Sequence, residues 1–212
     1  MRGKIFCLFI LAFILLNFVY SGFLKDEQKP LVDLYRDALK LIGQARYDEA
    51  LEAMEDIITK DFTYSRGFAK IVEISSYKND LDLARAFFEK LLRENKDNAG
   101  AYYGLGLYHM EKRDLPEAVE NSRRAIALFS HSPNYYQLFI NSSERLKQLD
   151  AAETHILSLT KSEPDSFAAL YGLAYLRFKQ RKWDESMGLL EKAIKLNPGD
   201  PISDRLKCDI YR

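Results

Sequence analysis

The chain has 212 residues, of which 47% are hydrophobic and 29% are charged, so we expect a packed domain rather than a disordered segment. Lysine and arginine together number 31, as do aspartate and glutamate, and this balance gives no electrostatic reason to bind nucleic acid. The two cysteines, Cys7 and Cys208, lie near opposite ends of the chain, so the folded part is not expected to contain a disulfide.

The first predicted element is an apolar segment that follows two positive charges. Arg2 and Lys4 precede an apolar run from Ile5 to Leu24. This pattern is typical of a secretory signal peptide or of an uncleaved transmembrane anchor, and 20 helical residues span roughly 30 Å, about the thickness of a bilayer core. A buried core helix is less favoured because the run is apolar on every face. We predict a signal peptide or membrane anchor over residues 1–24 and a short linker over 25–30.

Both membrane interpretations predict the same topology. Positive residues stay on the cytoplasmic side, so the chain from Lys25 onward is expected to face the non-cytoplasmic side. An uncleaved segment would leave the protein anchored in the membrane, and a cleaved one would leave it secreted or periplasmic. The sequence leaves this choice open.

A fixed period governs the rest of the chain. Ala50, Ala84, Ala118 and Ala152 are 34 residues apart, and Ser186 continues the series. A period of this length indicates a repeat architecture in which each period is one supersecondary unit. With each alanine at the twentieth place, the units are 31–64, 65–98, 99–132, 133–166 and 167–200, here called units one to five.

Each unit contains two amphipathic helical patterns separated by a polar turn. In unit three the turn is Lys112-Arg113-Asp114, and in unit five the second helix ends at Asn197-Pro198-Gly199. Residues 201–212 begin another first helix, with Ile202, Leu206 and Ile210 on one face. We predict that this last helix caps the array, because a terminal repeat must cover an otherwise exposed apolar face.

These residues resemble the tetratricopeptide repeat, in register over five consecutive units. The resemblance implies an all-α fold, a right-handed superhelical solenoid of about five helix-turn-helix repeats with a C-terminal capping helix. The small residue of the family pattern is less regular here, since Val72 and Ile140 stand where unit three has Gly106. We expect wider helix spacing in units two and four.

The resemblance also implies where a partner would bind. In this family the second, fifth, ninth, twelfth and thirteenth places of the first helices line a concave groove. Carried over to this sequence, the candidate groove residues are Tyr35, Tyr77, Tyr103, Leu107, Met110, Asn134, Gln137, Asn141, Tyr171, Tyr175 and Phe178. The aromatic residues could supply contact area, and the amides of unit four could pair with a peptide backbone. Alternatively, some of the aromatic residues pack between neighbouring helices.

The function these patterns favour is a non-catalytic scaffold that binds a protein or peptide partner in the groove and assists complex assembly. The alternative is a self-associating structural adaptor, a homo-oligomer that uses its convex face or the cap residues Ile202, Leu206 and Ile210. The groove lacks the residues of the family's chaperone-tail clamp, since Gly172 stands where that clamp needs asparagine. We expect no cofactor, metal or catalytic residue, because the three histidines lack ligands at metal spacing.

Overall fold

The structure is a computed structural model that describes residues 30–212. The predicted signal peptide or anchor over residues 1–24 lies outside the described residues, as does the linker apart from Pro30. Among residues 30–212, every helix is too short or too polar to cross a membrane.

The described part of the chain is entirely helical. Its eleven helices are α1 (Leu31–Gly43), α2 (Tyr47–Lys60), α3 (Ser65–Tyr77), α4 (Asp82–Glu94), α5 (Ala99–Glu111), α6 (Leu115–Leu128), α7 (Pro133–Arg145), α8 (Leu149–Ser162), α9 (Phe167–Lys179), α10 (Trp183–Leu196) and α11 (Pro201–Ile210). The odd-numbered helices begin 34 residues apart. The expected all-α superhelical repeat with a C-terminal helix is confirmed.

The turn inside each unit has the same backbone conformation. The fifteenth residue has a positive φ in all five units: Ala45, Asn79, Arg113, Lys147 and Arg181, with φ between 55° and 61°. In unit three the amide of Arg113 donates to the carbonyl of Met110 at 3.2 Å, and the amide of Asp114 donates to that of His109 at 2.9 Å. This pair of bonds is a Schellman motif, which satisfies the last carbonyls of the first helix and reverses the chain.

Small residues determine how closely the two helices of a unit approach. Ala118 is fully buried, and a Cβ atom added to Gly106 would lie 2.9 Å from Leu138 and 3.4 Å from the backbone nitrogen of Ser122. Unit five has a serine at the twentieth place, and the Ser186 hydroxyl donates to the carbonyl of Ala174 at 2.8 Å. A buried hydroxyl is tolerated there because its hydrogen bond is satisfied within the unit.

Bulky residues at the contact keep the helices of two units further apart. The backbones of α3 and α4, and of α7 and α8, approach each other closely at far fewer positions than do those of α5 and α6. Val72 and Ile140 occupy these two contacts and are buried. The wider spacing expected for units two and four is therefore confirmed.

One continuous apolar core runs through the array. It extends from Ala38 in α1 to Leu176 in α9, without a break between units. A smaller cluster in unit five is completed by Leu206 of α11, which is 2% exposed. The last helix therefore covers the apolar end of unit five, which positions its N-terminal residues beside the groove.

Candidate functional site

The structure places the eleven candidate groove residues in three kinds of environment. Tyr103 and Tyr171 are buried, with 6% and 0% of their surface exposed, whereas Tyr77 is 50% exposed. The others are partly buried: Tyr35, Leu107, Met110, Asn134, Gln137, Asn141, Tyr175 and Phe178. A partner could touch these eight and Tyr77 directly.

Tyr103 and Tyr171 pack inside the protein and do not form an exposed part of the groove wall. The ring of Tyr103 lies 4.8 Å from that of Tyr135, centre to centre. Tyr171 joins the cluster that Leu206 completes, and its hydroxyl accepts a hydrogen bond from Gln137 Nε2 at 2.5 Å. The expectation that these two tyrosines offer contact surface is corrected here, because the neighbouring first helices and α11 close over them. A charged residue at either position would test folding rather than binding.

The superhelix is wound tightly enough for units two apart to touch. The side-chain amide of Asn134 in α7 donates to the hydroxyl of Ser65 in α3 at 2.7 Å, across unit three. Gly100 makes this possible, since a Cβ atom there would lie 2.3 Å from the ring of Phe68 and 2.5 Å from the carbonyl of Phe62. This contact joins units two and four directly across the concave face.

A ladder of three polar contacts links α7 to α9. Besides the Gln137–Tyr171 bond, the hydroxyl of Tyr175 donates to Asn141 Oδ1 at 2.9 Å, and Lys179 Nζ lies 2.8 Å from Glu144 Oε2. Asn134, Gln137 and Asn141 are therefore each engaged within the protein. Only their remaining donors and acceptors are available to a peptide backbone.

The candidate aromatic residues of unit five stack on one another along α9. The rings of Tyr171 and Tyr175 lie 6.2 Å apart and almost parallel, and Tyr175 and Phe178 lie 6.0 Å apart. Met110 is instead capped by Arg145, whose Nη1 lies 3.5 Å from the sulfur. These contacts fix the side chains of the groove wall before any partner arrives.

Two cavities in the described part of the chain have candidate groove residues in their walls. The first, here called the helix-end cavity, has a volume of about 270 Å³ and lies between the C-terminal halves of α3 and α5. It is lined by Ala69, Val72, Glu73, Ser76, Tyr77, Leu107 and Glu111. Two candidate residues, Tyr77 and Leu107, meet here on an apolar floor with two carboxylates at the rim.

The second, here called the helix-start cavity, has a volume of about 420 Å³. It is lined by Tyr35, Arg66, Pro133, Asn134, Gln137, Asp200, Pro201, Ile202 and Arg205. Three candidate residues, Tyr35, Asn134 and Gln137, lie here beside residues of α11. The remaining candidates, Tyr103, Met110, Asn141, Tyr171, Tyr175 and Phe178, line neither cavity.

The sequence-based candidate set omits the contribution of the last helix. Ile202 and Arg205 occupy the second and fifth places when the 34-residue register is continued past residue 200. These are two of the places that line the groove in the preceding units. Extending the register into the cap would have found both residues from the sequence.

Electrostatics at the two cavities differ. In the helix-end cavity Tyr77 donates a hydrogen bond to Glu73 at 3.0 Å, which raises the pKa of the tyrosine. Lys70 also pairs with Glu73, at 2.5 Å, whereas no ion pair forms between Glu111 and another described residue. At the helix-start cavity burial raises the pKa of Tyr35, and the charge of Arg66 acts against that rise. The rim of the helix-end cavity is acidic because of Glu73 and Glu111. The rim of the helix-start cavity is basic because of Arg66 and Arg205.

The polar clusters outside the groove have structural explanations. His109 Nδ1 lies 3.3 Å from Asp114 beside the unit-three turn, and burial lowers the pKa of His155, which packs on Phe139. The hydroxyl of Ser130 donates to Glu163 and holds two inter-repeat turns together. Within residues 30–212, His, Cys, Asp and Glu side chains form no group able to hold a metal ion.

Comparison with known proteins agrees with this geometry. The family model described as "Tetratricopeptide repeat" matches residues 76–133 and 141–201. The chain therefore belongs to the tetratricopeptide repeat family, whose fold is typically a non-catalytic scaffold for protein interactions.

Individual relatives are distant. The chain is 25% identical over 174 residues to human "Protein O-mannosyl-transferase TMTC3", covering 78% of this chain and 19% of that protein. It is 26% identical over 204 residues to "Protein CTR9 homolog" of Arabidopsis thaliana, covering 89% of this chain and 18% of that protein. The chain thus spans less than a fifth of the length of these curated relatives.

A solved structure shows the same fold. A thermophilic TPR protein of Thermus thermophilus superposes with a TM-score of 0.53 at 16% identity, covering 85% of this chain and 98% of that chain. At this identity the likeness concerns the fold alone.

Proposed function

We propose that this protein is a non-catalytic scaffold that binds an extended or helical segment of a partner protein on its concave face and so assists the assembly of a complex. The helix-end cavity is the observation that carries this proposal. It combines an apolar floor with the half-exposed ring of Tyr77 and carboxylates at the rim. A pocket of this kind accepts an apolar side chain of the partner and forms hydrogen bonds or ion pairs with the partner's polar groups beside it.

The apolar floor and the acidic rim also indicate the composition of the segment. An aliphatic or aromatic side chain would fill the space above Ala69 and Leu107. A basic residue next to it would reach Glu111, which has no ion-pair partner among residues 30–212. Tyr77 is already oriented by its bond to Glu73, so little side-chain entropy is lost when the partner binds.

A substitution that fills the cavity tests the proposal. Ser76 is exposed at the cavity rim, so Ser76→Arg should fill the pocket without removing a core contact. The matched control is Ser162→Arg, an exposed position on the second helix of unit four. In affinity capture from the native membrane and soluble fractions, we expect Ser76→Arg to reduce recovery of a specific partner at least about tenfold, as loss of a central contact does.

The control should recover the partner as the unmodified chain does, and circular dichroism should show that both variants are folded. Equal recovery by both variants would place binding elsewhere. The cap is the next surface to examine in that case, because Ile202 and Ile210 of α11 are only partly buried. End-to-end self-association, the alternative function, would then be measured by analytical ultracentrifugation of the full chain.

We further propose that residues 1–24 carry the protein into or across a membrane, with the repeats on the non-cytoplasmic side. The support is the order of Arg2, Lys4 and the apolar run from Ile5 to Leu24. The intact mass of the native protein distinguishes a cleaved signal peptide from a retained anchor. Protection of the repeats from protease added to sealed, right-side-out vesicles would contradict the topology.

A further inference from the structure

The helix-start cavity brings together residues from both ends of the described chain. Tyr35 belongs to α1, Arg66 is the second residue of α3, and Ile202 and Arg205 belong to α11. Because the superhelix is tightly wound, the last helix faces the first units across this cavity. Its wall is mostly polar, which distinguishes it from the apolar helix-end cavity.

Two arginines in this wall have no carboxylate partner within residues 30–212. Among residues 30–212, neither Arg66 nor Arg205 forms an ion pair, and Arg66 lies beside the side chain of Tyr64. Several cationic side chains elsewhere on the first helices are paired, as in Arg177 with Glu153 at 2.6 Å. Two unpaired guanidinium groups around one concavity concentrate positive potential there.

The amides of the same wall are oriented and can still donate. One N–H of Asn134 is used by Ser65 and one N–H of Gln137 by Tyr171, so each side-chain amide keeps a second N–H. Because the first bond fixes the plane of each amide, the second donor has a defined direction. Guanidinium and amide donors together suit an acceptor that carries negative charge.

The one acidic residue in the wall limits how much negative charge fits. Asp200 is the N-cap of α11, and its Oδ2 atom accepts hydrogen bonds from the amides of Ile202 and Ser203 at 3.1 and 3.0 Å. The wall therefore carries two positive charges and one negative charge. A ligand group with a single negative charge matches this sum, whereas a dianionic phosphate would be repelled by Asp200.

We propose that the helix-start cavity binds the carboxylate of an acidic side chain in the partner segment, through Arg66, Arg205 and the amides of Asn134 and Gln137. The proposal rests on the proposed function, since it assigns the carboxylate to the bound partner. The volume of about 420 Å³ holds an aspartate or glutamate side chain together with adjacent backbone. The site needs the last helix, so α11 takes part in binding as well as covering unit five.

The test uses blocked peptides and the full chain in detergent solution. One peptide alternates glycine with glutamate, the second has glutamine in place of glutamate, and inorganic phosphate is a third probe. The Nε–Hε signals of Arg66 and Arg205 are followed by NMR during titration. We expect the glutamate peptide to shift both signals and to bind about tenfold more tightly than the glutamine peptide, as expected for a charge-assisted contact.

The double variant Arg66→Gln/Arg205→Gln should lose this preference. A matched control, Arg93→Gln/Lys207→Gln, removes two exposed charges outside the cavity and should keep it. Equal binding of the two peptides, a preference retained by the double variant, or tighter binding of phosphate than of the glutamate peptide would each overturn the proposal.

The two proposals fail in different ways. If Ser76→Arg loses the captured partner while the unmodified chain binds both peptides equally, only the carboxylate site is wrong. If the glutamate preference depends on Arg66 and Arg205 but no partner capture depends on Ser76, the site stands and the function proposed for the helix-end cavity is wrong.

Discussion

At the scale of single residues, buried polar contacts join neighbouring repeats. Arg177 of α9 bonds Glu153 of α8 at 2.6 Å and Glu185 of α10 at 2.9 Å, and its side chain is only 12% exposed. Gln180 also donates to Glu153 at 2.6 Å. This network connects units four and five, because a carboxylate from each unit pairs with the guanidinium group of Arg177.

The network makes part of the stability depend on pH. Hydrogen bonds from Gln180 and Arg177 lower the pKa of Glu153. A carboxyl group whose pKa is lower in the folded state stabilises the protein above its unfolded pKa of about 4.3, and the contribution is lost as pH falls through the folded value. Glu153→Gln should therefore lower the free energy of unfolding by about 1 kcal/mol at pH 7.

Urea unfolding at pH 7 and below pH 4 measures this effect. The difference between the original chain and Glu153→Gln should shrink at the lower pH, because the carboxylate of the original chain becomes protonated. Glu191→Gln, an exposed position on α10, is the control. A difference that stays the same at both pH values would contradict the assignment.

At the scale of helices, the turn inside each unit uses a strained residue. None of the five residues with positive φ in these turns is glycine, although a side chain in this region costs roughly 1–2 kcal/mol. The Schellman hydrogen bonds of each turn offset that cost. The turn is therefore stabilised by its own hydrogen bonds rather than by a glycine at the αL position.

Glycine at such a position should stabilise the protein. We expect Arg113→Gly to raise the free energy of unfolding by about 0.5–1 kcal/mol, because it relieves the strain at φ 61°. Lys112→Gly, one residue earlier at φ −72°, should instead lower it by about 0.5–1 kcal/mol, since glycine there only adds freedom to the unfolded chain. Urea midpoints that move in the same direction for both variants would refute this explanation.

At the scale of the whole molecule, stability is expected to follow the stacking of units. Each unit buries its apolar face mainly against its neighbours, so the array resembles a one-dimensional chain of coupled elements. The last coupling is the contact of α11 with unit five, where Leu206 is buried. Local unfolding is therefore expected to begin at one end of the array and to spread inward from unit to unit.

Leu206→Ala should weaken the end of the array. The loss of buried side-chain volume is expected to cost about 2–3 kcal/mol, and amide hydrogen exchange should accelerate in α9–α11 much more than in α1 and α2. Lys207→Ala, an exposed neighbour, should change neither quantity. Equal acceleration in all units would show that the chain unfolds as one cooperative block instead.

Much of the fold could be predicted from the sequence because the repeat signal is local. The alanines at the twentieth place, the polar turns and the helical spacing each concern contacts within one unit. Even the wider spacing of units two and four followed from Val72 and Ile140. The residues that line the groove were harder to predict from the sequence. Whether Tyr103 faces a partner or packs on Tyr135 depends on how closely neighbouring units pack in the superhelix.

The sequence by itself determined the family, the all-helical repeat, its 34-residue register and the cap, because helix periodicity and small-residue contacts are short-range. Only the tertiary structure decided the curvature. The curvature buries Tyr103 and Tyr171, brings Asn134 to Ser65, and places Arg205 in one cavity with Arg66. Small rotations between units add up along the array, so contacts between distant units depend on all the interfaces that separate them.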